Sequence, residues 1–288
     1  VNFTIYKNWN NVKFAMVKGG GLGGNPKNPL IYDGVAPNLP QLTLERDVNQ
    51  KICFMKNSDV SVFDFEKIES WANMTSALNS ETPMARFFCE LPSIDHSHVY
   101  WNAGYDKKNE GDSPNNDTLF AGNTILNMYQ NWYGIDLKAM FQNQPLKMVT
   151  HIVDPSATVD SDSQGYHHYE NAFWTDDYNA IFLGDGGDEM YPLTSLGVIT
   201  HEVSHGVTSH RMQGGLVYEG QSGALNESFS DMAAQAAQYF VYGKMDGQIG
   251  AEIMKAPNQA LRYMDKPSRD CGDRAPGDFC SIDHASQY

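Results

Sequence analysis

The chain has 288 residues, 41% of them apolar and 12% aromatic, so it can bury a large core as one domain or as two lobes around a cleft, and it is not intrinsically disordered. Its formal charge of −15 argues against nucleic acid or an anionic membrane as a partner, and no apolar run reaches the ~18 residues a membrane span needs. The acidic residues gather in polar segments such as 106–117 and 154–162, which read as solvated loops and name no substrate. The chain starts at Val1 with neither an initiator Met nor a signal peptide, as a mature secreted protein or a trimmed one would.

Residues 1–65 hold short β-rich runs (12–17, 41–44, 51–55 and 60–65) separated by Gly, Pro and Asn, the pattern of a meandering antiparallel sheet. The run GGGLGG at 19–24 lacks both the Lys-Ser/Thr of a phosphate-binding loop and a clear following helix, so a close-packed turn is expected there. From 117 to 133, DTLFAGNTILNMYQNWY carries apolar residues at helical spacing, and Gly134 is placed to end that helix. A strand at 146–153 and a polar loop at 154–164 follow, and 171–174 (NAFW) and 179–183 read as strands near a sheet edge. His167 and His168 lie in a polar Gly/Tyr loop without partner spacing and are not taken as ligands.

The composition changes after Tyr191-Pro192. Ala-rich amphipathic helices dominate from about 195, so residues 1–194 are expected to form a β-rich lobe and 195–288 a helical one. In HEVSH, His201 and His205 are spaced i, i+4, which puts both imidazoles on one helix face within reach of one Zn²⁺. Glu202 lies between them, where it can take a proton from a water activated by the metal. At about 100° per residue, Leu196, Ile199, Val203 and Val207 form an apolar stripe with the histidines turned away from it. Val198 falls on the ligand side, as a pocket wall. On the next helix Leu225, Phe229, Met232, Ala236 and Tyr239 share one face, and Glu227 and Asp231 share the opposite one. Glu227 is thus the expected third ligand, and Asp231 the acceptor for the free N–H of a ligating His. An isolated H-E-x-x-H is weak in a chain with nine His; joined to a downstream carboxylate pair it points to a metal site.

Of the four cysteines, Cys271 and Cys280 bracket the loop GDRAPGDF, and Cys53 and Cys89 would close a longer loop. Three connectivities are open. No C-x₂-C pair favours a zinc-cysteine site, so two disulfides and an extracytoplasmic location are expected.

HEVSHGVT and GALNESFSD closely resemble the zinc helix and third-ligand helix of the thermolysin-like zinc metallopeptidases, within them the bacterial secreted elastase branch (pseudolysin and vibriolysin). A metzincin pattern fails, because it needs Gly and His where this chain has Thr208 and Arg211. The resemblance covers nearly the whole chain, most strongly 171–288. It implies an α+β fold of two lobes, β-rich then mainly helical, with the zinc helix at the bottom of the cleft. It also implies the pairing Cys53–Cys89 with Cys271–Cys280. The implied activity is secreted endopeptidase cleavage of peptide or protein substrates. NAFW would be the edge strand that binds substrate main chain by β-augmentation, through Asn171, Ala172 and Trp174. Tyr218 matches a tyrosine that hydrogen-bonds the oxyanion, and Arg262 an arginine near the primed-side pocket that targets a substrate carbonyl. Leu193, Val198 and Leu261 would line an apolar pocket that directs cleavage before hydrophobic side chains.

The chain departs from the family's pattern in several places. The family's oxyanion-steadying His lies shortly beyond an Ala-Ser-Gln-Tyr stretch like 285–288, and the family's last helices lie beyond it too, so a nicked enzyme that retains its cleaved C-terminal fragment is one expectation and a catalytically impaired truncated form another. The interval from His205 to Glu227 is two residues longer than usual, with the excess around 209–214. The family's calcium site needs carboxylates, but the aligned positions are Gly197, Gln235 and Gln238, with only Asp246 acidic, so calcium is not expected there, while Asp/Asn-rich loops elsewhere could bind it through other ligands. Two rivals to the enzyme stand beside it. A zinc-dependent binding protein would keep the site without turnover, and a zinc-stapled structural protein would need a fourth protein ligand.

Overall fold

The glycines at 19–24 build a strand rather than the expected turn. A computed structural model describes residues 13–66, 73, 76–78, 83–107, 110–152, 169–211, 215–272, 281 and 283; the loop at 154–164, His167, His168 and the Cys271–Cys280 pairing lie outside the described residues. In chain order the strands are β1 (Phe14–Asn25), β2 (Asn28–Tyr32), β3 (Leu42–Asp47), β4 (Ile52–Phe54), β5 (Val60–Asp64), β6 (Arg86–Phe88), β7 (Tyr100–Asn102), β8 (Tyr105–Asp106), β9 (Gly111–Asp112), β10 (Leu146–Ile152), β11 (Ala172–Thr175), β12 (Ala180–Gly184), β13 (Gln248–Ile249) and β14 (Arg262–Tyr263). β1 needs its glycines because other chain segments crowd it: a Cβ on Gly20 would lie 2.1 Å from Tyr32 O, and one on Gly23 2.0 Å from Asp117 Oδ1. The turn falls one step later, where Asn25 Oδ1 accepts the N–H groups of Lys27 and Asn28, each at 3.0 Å.

The first sheet runs β2-β1-β3-β4-β6, with β7 beside β1. A disulfide joins Cys53 on β4 to Cys89 just past β6, with the Cα atoms 5.8 Å apart and a sequence separation of 36. Closing a loop of that length removes about 4 kcal/mol of unfolded-chain freedom in the entropic account. The second sheet runs β11-β12-β10-β5, with β10 parallel to both neighbours and β11 antiparallel at the edge. The interior strand β12 (AIFLG) is a continuous apolar run buried throughout, as a strand covered on both faces is.

Helix α1 (Pro114–Tyr133) starts with Pro in its first turn and ends at Gly134, whose φ of 64° lets its N–H reach Gln130 O. It packs on β1, β5 and β10 and on the two later long helices. After the short α2 (Leu137–Met140) come α3 (Leu196–Arg211) and α4 (Gly220–Tyr242), packed on each other. The chain thus has a β-rich N-terminal part and a helical C-terminal part, and one apolar core runs through both, from Tyr32 and Leu44 by way of α1 to Ile199, Val203 and Ile253. Among the described residues no helix is long and apolar enough to cross a membrane.

The two long helices bury different kinds of surface. On α3 the stripe Leu196, Ile199, Val203 and Val207 is buried. Its hydroxyls are buried too, and each is satisfied one turn back: Thr200 bonds Leu196 O at 2.7 Å, Ser204 bonds Thr200 O at 2.7 Å, and Thr208 bonds Ser204 O at 3.0 Å. Helix α4 behaves differently. Most of its apolar stripe is open among the described residues: Leu225 is 63% exposed, Met232 51% and Tyr239, beside Trp132, 52%, while Ala236 packs on the core and Ala233, Ala234 and Ala237 are buried. Small side chains let the two helices approach closely, which brings Glu227 and Asp231 over the imidazoles of α3.

Candidate metal centre and cleft

A cleft of about 860 Å³ lies between the second sheet and the helices. The edge strand supplies Asn171, Ala172 and Trp174; α3 supplies Val198, His201, Glu202 and His205; Glu227 comes from α4 and Tyr218 from just before it. Leu193, ahead of α3, and Leu261 and Arg262, at the hairpin of β13 and β14, close one end. Asp231 stands behind the histidines. All the residues singled out in the sequence as ligands, base or substrate contacts are therefore neighbours here.

The nitrogen and oxygen separations suit one ion. His201 Nε2 lies 3.1 Å from His205 Nε2 and 3.2 Å from a Glu227 oxygen, and His205 Nε2 lies 3.5 Å from the other. Ligand atoms at about 2.0–2.2 Å from a tetrahedral ion are themselves roughly 3.3–3.6 Å apart. The outer nitrogens are held as well. His201 Nδ1 lies 2.8 Å from Asp231 Oδ1, and His205 Nδ1 3.0 Å from Asn226 Oδ1. With Nδ1 protonated in each ring, both Nε2 atoms are left as acceptors, the tautomer a metal requires.

The charges follow from these contacts. Burial opposes a charge on His201, but its bonds to Asp231 and Glu227 push it up to about 9. Burial holds His205 below the usual histidine range. The bond to His201 pulls Glu227 down to about 2 despite its burial. Burial raises Glu202 to about 7, opposed by the charge of His201.

Tertiary contacts absent from the sequence reading refine several residues. Arg262 docks on Asp231 with two hydrogen bonds, Nε to Oδ2 at 2.7 Å and Nη2 to Oδ1 at 2.6 Å, while still lining the cleft. The Tyr218 hydroxyl donates to Glu227. Asn226, which the sequence reading passed over, holds His205; its signal was its place beside Glu227 on the same helical face, one turn before Ser230.

A second cluster shows what a metal cradle is not. Asp106, His151 and Asp185 converge where the register of β10 shifts. His151 Nδ1 is 2.7 Å from Asp185 Oδ1 and 3.9 Å from Asp106 Oδ2, a hydrogen-bonded proton's spacing and unequal for two ligands of one ion. Burial would lower His151, but the charge and hydrogen bond of Asp185, with Asp64 and Asp106 nearby, raise it to about 10. The folded value lies above the unfolded one of ~6.5, so the pair stabilises fully below that pH, progressively less towards 10, and not above it. Replacing Asp185 by Asn should therefore cost about 3–5 kcal/mol near pH 6 and little near pH 10, measured by urea unfolding in an inactive background that cannot digest itself. A cost that does not change with pH would show that the pair is not charged.

At the place of the family's calcium site the groups bond one another. Gln235 Nε2 donates to Gln248 O at 2.9 Å and Gln238 Oε1 at 3.2 Å, and Gln235 Oε1 accepts the Gly247 N–H at 2.9 Å. Asp246 Oδ1 accepts the Gln248 N–H at 2.9 Å.

A β-rich domain followed by a helical one, with a His-His-Glu cluster on the cleft floor, defines a two-domain metallohydrolase architecture. Two family profiles match this chain, "Thermolysin metallopeptidase, catalytic domain" over residues 34–209 and "Thermolysin metallopeptidase, alpha-helical domain" over residues 214–288. The chain belongs to the thermolysin metallopeptidase family. It is 43% identical to a zinc metalloproteinase of Legionella pneumophila, across 97% of this chain and 47% of that protein. It is 40% identical to the zinc metalloproteinase MspA of Legionella longbeachae, across 97% of this chain and 46% of that protein. Identity to the hemagglutinin/proteinase of Vibrio cholerae is 34%, across 99% of this chain and 38% of that protein. The chain thus spans less than half the length of these relatives.

Proposed function

We propose that this chain is the catalytic portion of a secreted zinc endopeptidase, with residues 1–194 carrying the substrate-binding edge strand and 195–288 the zinc site. The observation that carries this reading is the set of 3.1–3.5 Å separations among His201, His205 and Glu227, with Glu202 facing the same cleft. These three residues would hold Zn²⁺, which supplies an acidified water and polarises a peptide carbonyl. Glu202 takes the water's proton and passes it towards the leaving amine. Asp231 and Asn226 keep the histidines in the ligating tautomer. Main-chain groups of Asn171 and Ala172 hold an extended peptide, with Trp174 beside it. Tyr218 donates to the developing oxyanion, and Arg262, steadied by Asp231, faces a substrate carbonyl. Leu193, Val198 and Leu261 favour a hydrophobic residue on the primed side. The glutamine network around Gln235 and Gln238 supports a calcium-free structure at that place.

The uncovered stripe Leu225, Met232 and Tyr239 favours a second reading, in which a separately cleaved C-terminal piece covers α4 and completes the oxyanion site. One experiment separates the two: zinc content and cleavage of a peptide series varied at the primed position, with mass taken under native and denaturing conditions. Stoichiometric zinc with cleavage before Leu or Phe is expected. Zinc without cleavage, in a preparation holding residues 1–288 alone, would overturn the first reading and leave the second.

A further inference from the structure

The turn between β1 and β2 is clasped onto a segment that lies beside the closed end of the cleft. Lys27 Nζ donates to three main-chain carbonyls of that segment, Ala251 O at 2.8 Å, Met254 O at 3.0 Å and Ala256 O at 3.3 Å. Asn25 Nδ2 donates to a fourth, Glu252 O at 3.0 Å. Asn25 is buried, and its Oδ1 closes the turn, so both side chains leave one stiff loop. Carbonyls that share an ammonium are held by charge-assisted bonds, about twice as strong as neutral ones.

Residues 250–256 lie between the two leucines of the closed end. On one side, the Leu261 N–H donates to Ile249 O at 2.8 Å. The Leu261 side chain lies against Gly250, where a Cβ would come within 2.6 Å of Leu261 Cδ1. On the other side, Tyr191, two residues before Leu193, donates its N–H to Ile253 O, and the Lys255 N–H donates to Glu189 O, each at 2.8 Å. The Ile253 N–H bonds Gly250 O at 3.1 Å and joins the two sides. The seat of this segment therefore sets how far apart Leu193 and Leu261 stand. We propose that Lys27 is a positioning residue for the specificity of peptide hydrolysis: its ammonium seats residues 251–256, and through them fixes the width of the apolar pocket between Leu193 and Leu261. The proposal rests on the peptidase reading above and its primed-side pocket. Lys27 is not among the residues that line the cleft, so it acts through the segment it holds. It is exposed, so its loss should loosen this segment without unfolding the chain.

The test compares the wild type with Lys27→Met, Leu261→Ala and the double variant of the two, each as the whole zinc-loaded protein with zinc content and Tm checked. One set of peptides carries Leu, Phe or Ala just after the cleaved bond, and a second set carries them two residues before it. One methylene in an apolar pocket is worth about 10–200-fold in kcat/KM, so Lys27→Met should lower the Leu-over-Ala ratio after the bond about 5–20-fold. Preferences in the second set should stay within about twofold, because that part of the peptide lies outside this pocket. Once Leu261→Ala has removed one wall, Lys27→Met should add little. An equal fall across both peptide sets would make Lys27 a general stabiliser and overturn the proposal, as would additive losses in the double variant. Wild-type protein that cleaves nothing, or cleaves without regard to the residue after the bond, would overturn the reading beneath the proposal and the proposal with it. A selective wild type whose Lys27→Met variant keeps the full ratio would overturn the proposal alone.

Discussion

Replacing Glu202 by Ala should lower peptide cleavage ~10²–10⁴-fold while zinc stays bound at full stoichiometry. The expectation comes from where the residue sits. Glu202 follows His201 on α3 and lines the same cleft, but it is not among the three groups whose atoms lie within ligand spacing of one another. In the proposed mechanism its carboxylate is free of ligand duty and serves the water and peptide carbonyl that would meet over the cluster. Removing it takes away a proton acceptor and leaves the histidines, Glu227 and their outer partners in place. Turnover by stopped assay and zinc by mass spectrometry on the same sample check this. Unchanged turnover would show that another group accepts the proton, and lost zinc would make Glu202 a ligand.

Glu227→Ala should do the reverse, losing the metal first and activity in consequence. Removing an outer partner of a metal-bound His costs about 10–100-fold in affinity. A direct ligand should exceed the upper end, a drop of more than ~10²-fold in zinc affinity. Its loss is local: Glu227 is half-buried, and its contacts are the two imidazoles and the Tyr218 hydroxyl. The fold should survive, because Glu227 is only half-buried at the cleft, while Ala233, Ala234 and Ala237 keep α4 packed. Competition against a chelator of known affinity measures the change, with Tm as the control. Wild-type affinity in this variant would remove Glu227 from the ligand set and point instead to a carboxylate the sequence pattern does not reveal.

The two variants together separate roles that a static site cannot. One keeps zinc without turnover, and the other loses turnover because zinc is gone. A structural zinc staple predicts that Glu202→Ala changes nothing beyond what a surface substitution does.

Much of this site could be read before any coordinates. The α-helical period puts residues four apart on one face, so His201 with His205, and Glu227 with Asp231, are paired by sequence spacing alone. The buried stripe on α3 follows from the same periodicity, and so does the cleft-lining place of Val198. Other features depend on segments distant in sequence. Arg262 meets Asp231 across 31 residues, and Asn226 meets His205 across 21. Neither pairing has a period to announce it.

Periodicity also says which side of a helix is apolar without saying whether anything covers it. The stripes on α3 and α4 look alike in sequence, yet one is core and the other is open among the described residues, because α4 meets α3 through alanines. The glycines of β1 teach the same lesson in reverse. Gly-rich sequence suggested a turn, but in the fold those positions are crowded by Tyr32, Asn116 and Asp117 from other elements, and only a residue without a Cβ passes between them. Sequence by itself singled out the proposed ligands, the proposed proton acceptor and the helix faces that carry them, because these rest on local helical geometry. The partners that hold the proposed ligands and the exposure of α4 were decided only by the tertiary structure, since each arises where separate segments come within bonding or packing distance.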